Sequence, residues 1–419
     1  MTQKRNWLEK YGNIVALLIL VAGFFFYLYN IEGWLINDDE GNCMYAAWRL
    51  SEGEIPYSDF LSADVPIFLY IGATIIKLFG ASALALRGST AAITMLAGLF
   101  IYLGVKEVLD HRVALLSMVL FVLHRDVYLS GRTFRSDPYM LLFSVVGLYF
   151  TVIAYSRRRS RYLVIAGTLF AIATFSKLFG IFPLVGCVLF VLYRLLLRRN
   201  ITVKRALLES LSLLAPVLVG ATIILGVSSL YWPYLLDNIL MSHLQPGQGA
   251  SLVQVILKGS QLLVQYGKHN YAFLFAFPAI TKLLLDKREL RAIYVWQPLT
   301  AVAFLFISRP LYERHLLYLV PSLCVLVAYA IDLLSQAILA FAKRKVPLFR
   351  GFFIEVVQLA LVIYLAKVAA GQSIPDLLYG MRSREIGTVR LVEYIAAHTD
   401  EDDHVLSDYA TLNFYARRP

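Results

Sequence analysis

An all-helical membrane protein with many spans is the fold class this sequence predicts, and three observations predict it. Of its 419 residues, 59% are hydrophobic and only 16% charged, which is more apolar surface than one water-soluble core can bury. Apolar runs of about 20 residues, the length a helix needs to cross about 30 Å of hydrocarbon, recur along nearly the whole chain. Stretches such as Leu211 to Leu230 and Leu316 to Ile331 are apolar on every face, unlike the strictly alternating strands of a membrane barrel. Lipid offers no partner to a bare backbone amide, so the spans are helices.

Taken in order, Lys4, Arg5 and Lys10 precede an apolar run from Ile14 to Tyr29. The run is too long for a secretory signal and no small-residue cleavage site follows, so it reads as an uncleaved first span with a cytoplasmic amino terminus. Further spans starting near Leu84, Arg112, Pro138, Tyr162, Leu178, Leu207, Asn270, Ala292, His315 and Gly351 give about eleven, within two. With these starts, Lys106 with Arg112, Arg157 to Arg161, Arg194 to Arg205, Lys287 to Arg291 and Lys343 to Arg350 all fall on the inner side, as the positive-inside rule asks. The net charge of +11 is thus a topology signal, and nucleic acid is not among the expected partners. Val65 to Phe79 is apolar but only about 15 residues long, carries Lys77 and is followed by Gly80, which suits an interfacial helix better than a span.

The outer side then receives residues Ile31 to Ala83, Arg125 to Asp137, Trp232 to His269, Ser308 to Arg314 and the tail Gly371 to Pro419. No short repeat or low-complexity tract divides the chain. One membrane domain over 1–370, with residues 31–83 as its principal outer loop, precedes an extracytoplasmic tail over 371–419. Within the tail, Glu385 to His398 has helical spacing and His404 to Ser407 looks like a short strand. Cys43, Cys187 and Cys324 are too scattered for a disulfide framework. His243, His269 and His315 share no metal-ligand spacing. Tyr57, Tyr128, Tyr231, Trp232, Tyr234 and Tyr312 suit an interfacial aromatic belt.

Unusual residues gather in the outer loops. Asp38, Asp39 and Glu40 stand consecutively at the lip of the membrane, a costly place for carboxylates unless a cation or a proton transfer uses them. The bland alternative is a solvated helix end. Lys177 interrupts a nearly pure apolar stretch and needs a partner at that depth. Asp137 offers itself to a nearby arginine or, with Asp39, to a divalent ion.

Asp38-Asp39-Glu40-Gly41, then Tyr45-Ala46-Ala47, Gly53, Pro56-Tyr57-Ser58-Asp59-Phe60 and the apolar helix begun by Pro66 resemble the first loop of GT-C-fold glycosyltransferases that use polyprenyl-phosphate sugars. The protein-mannosyltransferase and aminoarabinose-transferase-like group is the nearest in pattern. Arg132 to Asp137, Ala166 to Gly180 with Lys177, and Tyr312-Glu313-Arg314-His315 resemble later motifs of that group in order and approximate spacing. The resemblance extends from Lys10 to Ala340. It departs where the family carries Lys-Pro-Pro and this chain has Asp64-Val65-Pro66.

The resemblance implies a GT-C-like bundle whose first outer loop carries interfacial helices, in a prokaryotic plasma membrane with the active site outside. It implies a hexosyl- or pentosyltransferase moving a sugar, with inversion, from the lipid-linked donor to a lipid, glycan or protein acceptor in the cell envelope. Asp39 is the candidate base, with Asp38 and Glu40 as runners-up. Arg132, Arg135, Lys177 and Arg314 are candidates for the donor phosphate, and for each arginine the alternative is reaching to lipid headgroups. Tyr57, Asp59 and Glu313 belong to the expected substrate loops. A divalent metal at Asp137 is the one cofactor to weigh. A lipid-linked-sugar flippase or transporter, or a non-catalytic subunit with this fold, are the competing readings; matched halves with broken helices, the mark of many transporters, are not seen.

Overall fold

The computed structural model describes residues 2–33, 38–238, 251–270, 276–306, 313–345, 386–400, 403–405, 407 and 410–419. Helices dominate, and among the described residues there is no strand beyond an isolated bridge between Pro56 and Phe60. The helices are α1 (Thr2–Leu28), α2 (Asp38–Ser51), α3 (Pro66–Phe79), α4 (Ala83–Val108), α5 (His111–Leu123), α6 (Arg125–Ser130), α7 (Ser136–Ser156), α8 (Arg161–Ser176), α9 (Ile181–Leu196), α10 (Val203–Tyr231), α11 (Leu252–His269), α12 (Ala276–Leu285), α13 (Ile293–Leu305), α14 (Val320–Lys345), α15 (Ile386–His398) and α16 (Ala410–Ala416).

The predicted span starts at Leu84, Arg112, Pro138, Tyr162 and Leu207 fall in α-helices, those at Leu178, Ala292 and His315 fall in 3-10 segments that lead into helices, and the first run lies in α1; Asn270 instead ends the helix Leu252–His269, and the next helix begins at Ala276. Six stretches among the described residues are long and apolar enough to cross a membrane: Lys10–Leu28, Ala83–Val108, Ser136–Ser156, Leu178–Leu196, Val203–Tyr231 and Arg314–Ala337. The helices α5, α8, α12 and α13 are shorter, so the tally of full-length spans is below eleven among the described residues; the start expected at Gly351 lies outside them. The protein is an integral, multi-pass membrane protein with an all-helical architecture.

Local sequence explains where the helices begin and break. Ser82 caps α4 by accepting from the Ala85 amide, and Asp110 caps α5 by accepting from Arg112 and Val113. Pro66 occupies the first turn of α3, where its missing N–H costs nothing. Gly80, with φ of +83°, ends that helix. At 14 residues, or about 21 Å, α3 is too short for the hydrocarbon core and lies beside α2, α4 and α8, as its interfacial reading expects. Extended backbone at Lys177 separates α8 from α9 through a 3-10 turn, Leu178–Gly180.

Two apolar cores result. The larger one unites α1, α4, α5, α7, α8, α9 and α14, with Phe121, Met140, Phe170 and Phe190 fully buried. A smaller one lies between α2, α3 and the starts of α4 and α7, around Met44, Phe68, Phe134 and Tyr139. The last described helix, α16, inserts Phe414 into this second core. No strand forms at the expected place: the described residues 403–405 and 407 have no regular structure, and Val405 instead donates to the Pro419 carbonyl.

Polar groups collect at the two ends of the bundle. At one end Glu107 meets Arg157 and Ser156, Glu209 meets Arg194 and Arg205, and Asp286 meets Arg291. At the other lie Asp39, Glu40, Arg87, Arg135, Asp137, Lys177 and Arg314.

Candidate active site

Asp39 stands in the first turn of α2 with 49% of its side chain exposed, and two arginines from distant elements hold its carboxylate. Arg135, the extended residue just before α7, reaches it at 3.2 Å, and Arg314, from the 3-10 segment preceding α14, donates to the same oxygen. Arg135 also faces Asp137 at 3.9 Å. Asp137, almost fully buried, accepts from Lys177 Nζ at 2.6 Å. Lys177 thereby finds its partner at depth: the helix break presents it to a carboxylate one helix away. His315 packs its ring on Phe179 at 4.5 Å and is buried beside this pair. Three cations, Arg135, Lys177 and Arg314, thus converge on two carboxylates, leaving an excess of positive charge suited to a phosphate.

Cys43 lies one helical turn beyond Asp39 and donates to Asp64 Oδ2 at 3.2 Å. Burial, reinforced by Asp64, pushes its thiol well above its ordinary range, so it remains a neutral donor. Asp64, where the resembled family carries a lysine, also offers its carbonyl to Tyr57 Oη at 2.5 Å.

Several predicted site residues have other duties. Glu40, a runner-up for the base, is fully buried. Arg87 grips it at two points, Nε at 2.8 Å and Nη2 at 2.7 Å, and the Phe134 amide donates to it at 2.8 Å. A carboxylate so enclosed cannot meet an acceptor hydroxyl. Arg132, a candidate for the donor phosphate, is likewise fully buried. Its Nη1 donates to the carbonyls of Tyr27 and Tyr29 at 2.8 Å, its Nη2 donates to Asn30, and its guanidinium lies 5.1 Å from the Tyr128 ring. It ties off the end of α1, where carbonyls lack helical partners. Asp59 closes its own loop by accepting from the Ile55 amide. Tyr57 is buried at φ of +64° and edges onto Trp232. Tyr57 and Tyr128 are interior residues and leave the aromatic belt, while Tyr231 and Tyr234 are exposed. The side chains of Asp38, His269 and Glu313, and all of Tyr312 and His243, lie outside the described residues.

Among the described residues no group of three or more His, Cys, Asp or Glu side chains could hold an ion, and Arg135 stands between the two carboxylates proposed to share it.

Arg87 was missed as Glu40's partner. The signal was available: an arginine soon after the start of an apolar span requires an acid, by the argument applied to Lys177.

Beside the charged cluster runs a cavity of about 730 Å³, walled by α3, α8 and α10 through residues including Pro66, Tyr70, Phe175, Pro216, Ile223 and Trp232. Its lining is almost entirely apolar, and Phe175 is two residues from Lys177.

Residues 63–224 match the family model described as dolichyl-phosphate-mannose-protein mannosyltransferase. The fold is similar to ArnT from Cupriavidus metallidurans bound to undecaprenyl phosphate, at a TM-score of 0.70 and 15% identity over 98% of this chain and 85% of that one. The apo ArnT gives 0.71 and 16%, over 96% and 84%. It is also similar to the Archaeoglobus fulgidus oligosaccharyltransferase in its apo form, at 0.63 and 16%, where 98% of this chain covers 64% of that one. Among curated proteins no sequence matches. The family model and the ArnT fold agree with the group that the motifs between Asp38 and His315 resemble.

Proposed function

We propose that this chain, as a relative in pattern and fold of the polyprenyl-phosphate-sugar glycosyltransferases, transfers a sugar from a polyprenyl-phosphate-linked donor to an acceptor hydroxyl at the outer face of the membrane. The observation that carries the reading is the half-exposed Asp39, clasped by Arg135 and Arg314 above the Lys177–Asp137 pair. The apolar cavity beside it suits a prenyl chain.

The chemistry follows from those groups. The acceptor oxygen forms a new bond to the anomeric carbon while the bond from that carbon to the phosphate oxygen breaks, and the electron pair leaves with the phosphate. Arg135, Lys177 and Arg314 meet the charge that grows there, the arginines through their planar forks and the lysine as a point charge. The acceptor proton passes to Asp39 as attack proceeds. A phosphate arriving at Arg135 and Arg314 competes with Asp39 for them, and the carboxylate it displaces is the one the hydroxyl needs. Donor binding and base release are in this way coupled. One base and one leaving-group clamp suffice for direct displacement, hence inversion. Arg132 and Glu40 serve as supports that hold α1, α2 and α4 in register. The sugar, and whether the acceptor is lipid, glycan or protein, depend on pocket shape.

The test is Asp39→Asn. Surface glycans are compared by mass spectrometry in cells lacking the gene and complemented with wild type or variant. The variant is expected to insert and melt as wild type while losing transfer by about 10²–10⁴-fold. Normal turnover by Asp39→Asn sinks the assignment.

A further inference from the structure

At the end of the bundle opposite Asp39 lies a second concavity, about 450 Å³ in volume, lined by Arg198, Asn200, Lys287, Arg288, Glu289 and Leu290. Its one carboxylate is already answered: Glu289 accepts from Arg194 Nε at 3.0 Å and from Asn200. Asp286 next to it is engaged by Arg291 at 2.8 Å and by the Arg288 amide. Among the described residues Arg198 is held by neutral acceptors, Tyr193 Oη and the carbonyls of Leu284 and Asp286. These fix its guanidinium without cancelling its charge. Lys287 and Arg288 are exposed, and among the described residues no carboxylate lies within ion-pair distance of Arg198, Lys287 or Arg288.

The rim of this pocket is apolar and faces outward. Leu196 and Leu197, directly before Arg198, are 65% and 72% exposed, and Leu285, directly before Asp286, is 76% exposed. The span Leu178–Leu196 ends there, so the cations sit just past the hydrocarbon, at headgroup depth. Exposed leucines beside a preorganised cationic hollow match a molecule with an anionic head and acyl tails.

We propose that this pocket binds an anionic phospholipid, its phosphate received by Arg198, Lys287 and Arg288 and its acyl chains laid along Leu196, Leu197 and Leu285. An arginine already oriented by carbonyls gives up little freedom on meeting phosphate, and each juxtamembrane cation adds attraction to an anionic headgroup. The site is independent of the transferase chemistry at the other end.

The full-length protein, purified in detergent and exposed to equal amounts of phosphatidylglycerol and phosphatidylcholine, is expected to retain phosphatidylglycerol preferentially in native mass spectra. The Lys287→Gln/Arg288→Gln variant breaks no side-chain contact described above and is expected to melt as wild type while losing about fivefold in retention for each charge removed. Arg198→Gln should lower retention further, and if it unfolds, the double variant still decides. Equal retention of the two lipids, or a double variant that holds phosphatidylglycerol as well as wild type, overturns the proposal. Inorganic phosphate at millimolar concentration is expected to leave the lipid bound; displacement by phosphate alone would make this a free-anion site and overturn the lipid assignment.

Discussion

Asp39 and Glu40 are neighbours in the chain, yet one helical step turns the first toward an open, arginine-lined cleft and the second into the protein. Glu40 completes a pair with Arg87 in which neither side chain is exposed, and removing one charge from such a pair strands the other in a poorly solvating interior. Glu40→Gln is therefore expected to cost about 3–5 kcal/mol, read as a lowered melting point in detergent, whereas Asp39→Asn should melt like the wild type. A Glu40→Gln protein that melts with the wild type would remove its structural role. Arg132 follows the same logic with carbonyl partners in place of a carboxylate. From sequence, both residues looked like chemistry because burial, which separates supports from reactants, is not written in their identity.

At the scale of elements, the site rests on α2, and α2 rests partly on α16. Gly41 lets the two approach closely, since a Cβ there would collide with Thr411. Arg417 lies 5.5 Å from the Trp48 ring, and Phe414 is 1% exposed in the core beneath. Truncating a buried phenylalanine typically costs about 3–5 kcal/mol. Phe414→Ala should thus loosen the loop between α2 and α3, seen as faster limited proteolysis between residues 52 and 64; an unchanged cleavage rate would show that α16 does not brace α2. Seven residues are too few for a periodic pattern to announce a helix, and nothing local marks its partner. The break at Lys177 was legible, because a lysine inside an apolar run violates the local pattern.

At the scale of the molecule, the basic clusters and the candidate site occupy opposite ends of one bundle, which predicts their sidedness. The three native cysteines are buried, so single exposed positions can report it. Leu61→Cys should react with a membrane-impermeant maleimide on intact cells, and Arg158→Cys only after permeabilisation. Labelling of both from the same side would collapse the topology and with it the outer-face reaction. By itself the sequence determined that the chain lives in lipid and roughly where most of its long apolar helices lie, because partitioning between water and hydrocarbon is summed segment by segment. Only the tertiary structure decided which charges meet. Lys177 and Asp137 are 40 residues apart, Arg314 and Asp39 275, and whether a carboxylate becomes an open base or a buried strut depends on the side chains that other helices bring to it.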